Sequence, residues 1–477
     1  MTIKFGTDGW RAVIAETFTF ENLRIVSQAM ADYLLEAHST EPNLSIVIGF
    51  DTRFLSDRFA AEVARVMAAN GITAYLARAD APTPAISYNI VHKKAVGGVM
   101  ITASHNPPRY NGFKVKAAYG GAASKLQIAA IERKLSSIHE RIGANLMDFQ
   151  KAQEQGLIEK FDPAWPYYEH LTTNLINMDT IHNGELAVVV DSMYGSGRGV
   201  FGEVVSRTRT KIHELHHDLH PGFGGVHPEP LAKNLKALIA TVQNENAHLG
   251  VATDGDADRI GAVDDRGNFV DPHTIMALSA RYLVERRGLS GAIAKTISST
   301  LMLNRLAKKY GLALHETPVG FDIIAELMIN DDILLGGEES GSISVKGHIP
   351  EGDGILMGLL LMEIVADAGV PLSELIADLQ RNFGPTCYKR DDLRLKTFVE
   401  KSEMVNKLVT NAPQTIAGET VIKVDSYDGV KYHLADDSWL LIRPSGTEPV
   451  LRLYAEASDG RAVEAMLLKG RELAGID

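Results

Sequence analysis

The feature that constrains this chain most is a device it repeats: an apolar, β-rich run that ends in an acidic or glycine-rich loop. It occurs as "SIVIGFDTR" from Ser45, "LAVVVDSMYGSG" from Leu186, "LGVATDGDADR" from Leu249, "ILLGGEESG" from Ile333 and "WLLIRPSGTEP" from Trp439. Short runs of branched apolar residues bounded by turn residues read as buried strands. Helical patterns lie between them. In "SDRFAAEVARVMAANG", Phe59, Val63, Val66 and Met67 share one face, with Ser56 as the expected cap and Gly71 as the expected end. Strands alternating with such helices specify α/β modules with parallel or mixed sheets, and 477 residues exceed what one hydrophobic core supports. Polar or proline-containing stretches place the limits near residues 148–156, 264–271 and 382–390, so the expected domains are 1–149, 150–266, 267–383 and 384–477.

Composition narrows the function classes. The formal charge of −12 argues against a general binder of nucleic acid or anionic membrane, so any phosphate site must be a local pocket built against the overall field. The single cysteine, Cys387, excludes an internal disulfide and suits a reducing compartment. No apolar run reaches membrane-spanning length, and "MTIKFGTDGWRA" lacks a signal-peptide core. A cytoplasmic location is the expectation, and the sequence does not decide between a monomer and a homodimer.

Four loops carry chemistry. In "ITASHNPPRYNGFK", Ser104 stands just past an expected strand from Val96 to Ile101, at the carboxyl end where α/β sheets bind ligands. It reads as a nucleophile or as a turn residue. In "TDGDADRIG", Asp254, Asp256 and Asp258 alternate directly after a strand, so three carboxylates converge, a hard-oxygen set that suits Mg²⁺ or Ca²⁺. An EF-hand is excluded, because Arg259 stands where its glycine belongs and Asp265 where its bidentate glutamate belongs. Mg²⁺ prefers phosphate oxygens among its ligands, and a phosphorylated Ser104 would supply one.

In "GGEESG", Glu338, Glu339 and Ser340 can pair with vicinal sugar hydroxyls or form a simple turn. In "RPSGTEP", Arg443, Ser445, Thr447 and the backbone around Gly446 are the parts of an anion nest. A hydroxyl nucleophile, a Mg²⁺ loop, a polyol loop and a phosphate nest together specify phosphoryl transfer on a phosphorylated sugar.

"TASHNPPRYNGFK", "DGDADR", "GEESG" and "RPSGTEP", in this order, closely resemble the four signature loops of the α-D-phosphohexomutases, and "KFGTDGWRA" resembles their amino-terminal motif. The resemblance implies four domains around a central cleft: three related α/β modules with mixed sheets and a smaller α+β carboxy-terminal domain. It implies that Ser104 carries the phosphoryl group, and that Mg²⁺ is held by Asp254, Asp256, Asp258 and a phosphoserine oxygen. It further implies a hexose 1,6-bisphosphate that turns around in the cleft and also serves as activator.

By motif match, Arg11 and Lys114 assist proton transfer and stabilise charge. His105, Arg259, Glu338 and Ser340 contact substrate, while Arg443, Ser445, Gly446 and Thr447 hold the non-reacting phosphate. "GEESG" resembles the glucose-type loop more than "GEMSG" or "GEQSG", so glucose is the expected sugar, with mannose the alternative. A sugar phosphatase using the same serine, or a catalytically silent sensor, is the competing class.

Two positions depart from the pattern. "PVGFD" has Asp322 where many relatives place lysine, and Ser342 stands where some bacterial members place histidine, with Lys346 and His348 as possible substitutes. Two further features are read as structural. "HELHHDLH", His213 to His220, is expected to be a surface segment and not a transition-metal site, and "YGSGRG" a strand-to-helix turn whose glycines miss the dinucleotide spacing.

Overall fold

The strand leading to Ser104 is buried along its whole length, from Gly97 to Ile101, because strands flank both its edges and separate apolar clusters pack around Val99 with Ile101 and around Met100. A computed structural model describes residues 3–6, 9–139, 143–395, 400–445 and 449–475. Among these residues the strands form four sheets. The first runs Trp10–Val13, Tyr110–Ala117, Gly97–Ile101, Ser45–Phe50, Thr73–Ala77, Ile158–Phe161. Its last four strands are parallel and its first two join antiparallel. The second sheet, Phe269–Val270, Ile260–Asp264, Leu249–Thr253, Ala187–Asp191, Lys211–Leu215, repeats that plan. So does the third, Leu314–Thr317, Ala292–Thr296, Ile333–Gly337, Ile343–Val345, where only the last strand is antiparallel.

This shared plan places the chemistry. In each of the three modules the loop of interest is the hairpin between the last parallel strand and the antiparallel strand beside it: residues 102–109, 254–259 and 338–342. A hairpin turns tightly at the carboxyl end of a parallel strand, the rim where side chains escape the sheet without leaving the core's support. The fourth sheet is wholly antiparallel, ordered Cys387–Arg394, Val450–Ala457, Trp439–Pro444, Val430–Leu434, Glu419–Asp425, Thr415–Ile416, with the helices Lys401–Thr410 and Gly460–Ala474 packed on its apolar face. "RPSGTEP" again joins two of its neighbouring strands. The architecture is therefore α/β, with a smaller α+β carboxy-terminal domain.

The second and third modules share one core. The helix Gly354–Ala368 buries every residue from Gly354 to Val365, packing with Val190, Val251 and Ile260 of one sheet and Leu334 and Leu335 of the next. Its all-round apolar sequence is that of a helix covered on all sides. Among the described residues no single helix is long and apolar enough to cross a membrane.

One helix boundary differs from its expected cause. The helix Ser56–Ala69 buries Phe59, Val63, Val66 and Met67 and is followed by Gly71 at φ 75°, but Ser56 does not cap it. Leu55 precedes the helix in the left-handed region with no side-chain cap, and the Ser56 hydroxyl donates to Asp51 Oδ1 at 2.8 Å. A buried carboxylate of the neighbouring loop outcompetes the helix's own amides for that hydroxyl.

Candidate active site

Ser104 is buried and sits at φ 49°, in the left-handed region that a β-carbon disfavours. Its backbone is held on two sides. The amide donates to Thr102 Oγ1 at 2.9 Å, and the carbonyl accepts from the Arg53 guanidinium at 2.5 Å. Arg53 also donates to the carbonyls of Pro107, Tyr110 and Asn106 and pairs through Nε with Asp51 at 3.0 Å. The carboxylate of Asp51 in turn accepts from Thr102 Oγ1 at 2.6 Å. A planar fork that cannot lose its proton suits several converging carbonyls, which would otherwise be buried without donors.

The hydroxyl itself points across a module boundary. Ser104 Oγ donates to Asp254 Oδ2 at 2.6 Å and lies 3.2 Å from His105 Nδ1. A β-carbon on Gly255 would stand 2.5 Å from the Ser104 carbonyl oxygen, so only glycine lets the acidic loop approach the serine this closely. Gly195 packs the same loop from behind, where a β-carbon would meet the Asp254 carbonyl oxygen at 2.7 Å. This is the strand-to-helix turn expected of "YGSGRG", which leads into the helix Val200–Val204.

Asp254, Asp256 and Asp258 are buried, and one oxygen of each lies within 4.8 Å of the others. Lys114, itself buried, donates from Nζ to Asp256 Oδ2 and Asp258 Oδ2, both at 2.8 Å. Asp256 also accepts from Thr83 Oγ1 at 2.6 Å. Burial, then repulsion from Asp258 and Asp256, pushes the Asp254 carboxyl well above its ordinary pKa against the pull of Arg259. The donor set fits a hard divalent cation: oxygen only, convergent, and carrying a repulsion that a cation would offset. Arg259 Nε is 4.0 Å from Asp258 Oδ1, and its pKa rises because Asp254, Asp258, Glu229 and Glu338 outweigh the burial that opposes it.

Arg11 reaches this group from the edge strand. Paired opposite Gly112, it donates to Asn106 Oδ1 at 2.7 Å. Burial, with Arg259, Arg11, His227 and Lys114 nearby, lowers the His105 pKa well below its ordinary value, so the ring is neutral.

A second cluster lies on the third and fourth modules. Glu338 Oε1 accepts from the Gly320 amide at 2.9 Å, Ser340 Oγ donates to Glu338 Oε2 at 3.4 Å, and burial with Glu339 beside it pushes Glu338 up to about 7. Arg443 Nε donates to Asp428 Oδ2 at 2.9 Å, and that same oxygen accepts the Val319 amide at 2.9 Å. Val319 and Gly320 are adjacent, so one short segment ties Arg443 to Glu338. Ser445 is buried, its amide donating to the Val450 carbonyl at 2.9 Å, while Gly446 and Thr447 lie outside the described residues.

The structure thus gathers Ser104, His105, Arg11, Lys114 and the three aspartates into one group, and Glu338, Ser340, Arg443 and Ser445 into another. Arg53, Asp51, Thr83, Asp428 and Arg452 were not anticipated. Arg452 faces Arg443 directly on the neighbouring strand. For Asp51, Arg53 and Asp428 the signal in sequence was position just past a strand end, as in "FDTR", while Thr83 opens a helix and Arg452 lies within a strand.

Lys346 and His348, the possible substitutes for a histidine at Ser342, are each engaged with other groups. Lys346 pairs with Asp332 at 2.5 Å and donates to the Ser290 carbonyl, and His348 is enclosed between Asp353 and His170. Asp322 lies 3.6 Å from Lys125 Nζ. The histidines of "HELHHDLH" go separate ways: His213 to Glu245, His216 to Asp191, His217 to the Glu214 carbonyl, and His220 to the amides of Gly222 and Gly224. Among the described residues, Asp254, Asp256 and Asp258 are the only such group of three or more His, Cys, Asp or Glu side chains.

Comparison with known proteins agrees with the four-module fold. Sequence profiles of phosphoglucomutase/phosphomannomutase match in four parts: alpha/beta/alpha domain I at 2–142, domain II at 166–267, domain III at 271–383 and the C-terminal domain at 404–469. A phosphoglucomutase/phosphomannomutase of Thermococcus kodakarensis is 31% identical over 473 residues, 98% of each chain. A phosphoglucosamine mutase of Frankia alni is 32% identical over 472 residues, covering 96% of this chain and 94% of its own. A crystal structure from Thermus thermophilus, assigned to phosphomannomutase, superposes with a TM-score of 0.87 at 34% identity, covering 100% of this chain and 99% of that one.

Proposed function

This chain belongs to the phosphoglucomutase/phosphomannomutase family, and from that membership we propose that it reversibly interconverts hexose 1-phosphate and hexose 6-phosphate, with glucose the preferred sugar. The observation that carries this reading is the 2.6 Å hydrogen bond from Ser104 Oγ to Asp254 Oδ2, which sets a buried hydroxyl against the acidic triad.

In the working cycle Ser104 carries a phosphoryl group. The free hydroxyl oxygen of the bound hexose phosphate bonds to phosphorus as the Ser104 Oγ–phosphorus bond breaks. The hydroxyl proton is given up and the serine oxygen ends protonated, restoring the hydroxyl that Asp254 accepts from. Mg²⁺ held by Asp254, Asp256, Asp258 and a phosphoserine oxygen would neutralise charge on the transferring group. Lys114 and Arg11 bring fixed positive charge to the same side and assist the proton's movement. Arg259 and the neutral His105 border the reacting end. Glu338 and Ser340 hold the sugar hydroxyls, while Arg443, Ser445, Gly446 and Thr447, with Arg452 opposite, hold the non-reacting phosphate. A phosphate site separate from the serine lets the hexose 1,6-bisphosphate turn around and return its other phosphate to Ser104. The same bisphosphate activates the unphosphorylated protein, and the reaction takes place in the cytoplasm.

The Frankia relative at 32% identity favours a second reading, glucosamine phosphate as the substrate. Mannose phosphate is a third. All are tested together by incubating the protein with Mg²⁺, a catalytic amount of the matching 1,6-bisphosphate, and glucose, mannose or glucosamine 1-phosphate in parallel, following 6-phosphate and free phosphate. Glucose 6-phosphate formed fastest and without net phosphate release is the expected result. Free phosphate as the sole product would make the protein a phosphatase.

A further inference from the structure

The second module brings one more side chain to the reacting end. The segment from Gly222 to Pro230 packs against the acidic loop and the serine loop together: Phe223 is fully buried with the Arg53 guanidinium 4.8 Å from its ring centre, and the Pro228 carbonyl accepts the Gly255 amide at 3.3 Å. His227 is thereby fixed between two anchored residues, and its own carbonyl accepts the Glu229 amide at 2.8 Å. Its ring centre lies 6.4 Å from that of His105, whose Nδ1 is 3.2 Å from Ser104 Oγ.

The two ring nitrogens of His227 differ. Nδ1 is buried and makes no hydrogen bond among the described residues, but it faces Glu229 Oε2 at 3.8 Å. Nε2 makes no hydrogen bond among the described residues and is not buried, and the side chain keeps 40% of its surface. Burial, opposed by Glu229 and reinforced by Lys233 and Arg53, favours the neutral ring. At 3.8 Å Glu229 makes no hydrogen bond to Nδ1, but its negative charge favours the tautomer with the proton on that nitrogen, which leaves Nε2 as the hydrogen-bond acceptor.

We propose that His227, oriented by Glu229, is a substrate-contacting residue of the second module, whose open Nε2 accepts a hydrogen bond from a hydroxyl of the hexose at the end facing Ser104. The inference rests on the hexose phosphate reading of the same cleft. The serine side of the cleft is crowded with cations, and an uncharged acceptor there can discriminate a sugar hydroxyl from a phosphate oxygen, which offers no proton at neutral pH.

The test uses the full chain in two measurements. Equilibrium binding of glucose 6-phosphate to the unphosphorylated protein is expected to weaken about tenfold in His227→Ala, the loss of one hydrogen bond to a neutral group. His227→Gln, which keeps an acceptor, is expected to stay within about threefold of the parent. In steady state, kcat/KM for the isomerised 1-phosphate should fall about as much as binding, while the end-point loading of Ser104 by saturating glucose 1,6-bisphosphate, read by intact mass, reaches the parental level. Parental binding and kcat/KM in His227→Ala overturn the proposal. So does a loss of serine loading that accounts for the lost turnover, which would make His227 a prop for the loop. If the parent binds glucose 6-phosphate in a His227-dependent way but isomerises none of the three hexose phosphates, the functional reading falls and the contact stands.

Discussion

Arg53 and Ser104 are joined across the serine hairpin by a 2.5 Å hydrogen bond from the Arg53 guanidinium to the Ser104 carbonyl. The side chain that makes it is fully shielded and paired with an equally shielded Asp51. Replacing it by methionine leaves a buried carboxylate without its cation and removes the guanidinium donors from four carbonyls, a change expected to cost about 3–5 kcal/mol of stability. Arg53→Lys keeps the charge but loses the fork. It is expected to fold with a smaller loss and to load phosphate on Ser104 poorly, as denaturant unfolding and intact mass would show. Equal loading in Arg53→Lys would mean that the hairpin holds its shape without the fork.

Removal of the Ser104 hydroxyl separates chemistry from folding. The hydroxyl makes one strong hydrogen bond to Asp254, so Ser104→Ala is expected to change stability by only about 1 kcal/mol. Isomerisation should drop by at least about a thousandfold, since the transferred group loses its carrier. Intact mass after incubation with hexose 1,6-bisphosphate should show no added phosphate. Parental turnover in this variant would sink the phosphoserine mechanism.

The aspartate triad predicts a chelator effect with a defined remedy. EDTA is expected to abolish isomerisation, and Mg²⁺ added in excess to restore it, because three buried carboxylates with no cation repel the phosphoryl oxygens. Asp256→Asn should raise the Mg²⁺ concentration needed for half-maximal activity by about tenfold or more. Activity indifferent to EDTA and to that substitution would remove the metal from the reaction.

Asp428 is placed to orient Arg443, and its loss should be felt in binding and not at the serine. Its carboxylate also accepts from Lys401 Nζ at 2.7 Å, so it joins the fourth module to Val319 of the third through one side chain. Asp428→Asn is expected to raise KM for hexose phosphate about tenfold with serine loading intact. Steady-state kinetics beside intact mass distinguish this from a general loss of fold.

Between the third and fourth modules, Glu316 gives stability a pH dependence. Burial opposes its ionised form, but Lys295 and Lys431 hold its pKa down to about 2, below the ordinary carboxyl value of about 4.5. A depressed carboxyl contributes stability above its unfolded pKa and loses it as pH falls through the folded value, so the window runs from about 4.5 down to about 2. The contribution is roughly 3 kcal/mol. Lys431 moves in the same direction for the opposite charge: burial and Lys295 lower it to about 8. Its share of stability therefore rises as pH increases from about 8 toward its ordinary value. Glu316→Gln should be much less stable than the parent at neutral pH, and the gap should close by about 3 kcal/mol toward pH 2 in urea unfolding curves. A gap independent of pH would show that Glu316 acts by shape alone.

The α/β class, the order of the four loops and the candidate serine and aspartates were legible in the chain because each is a local fact. Branched apolar runs make strands whatever lies beyond them, and a hairpin's polar residues stand next to the strand that ends there. Folding decided which of these loops meet. Ser104 and Asp254 are 150 residues apart, and their contact depends on the second module presenting its hairpin to the first. The supporting residues were invisible for the same reason. Arg53 and Asp428 are polar residues in ordinary loops and Thr83 opens a helix, and what sets them apart is the donor or acceptor that a distant segment buries beside them. A burial cost belongs to a place in three dimensions, so no window of sequence contains it. The misread cap at Ser56 is the same effect on a small scale: propensity named the hydroxyl's local partner, and the buried Asp51 carboxylate took it instead.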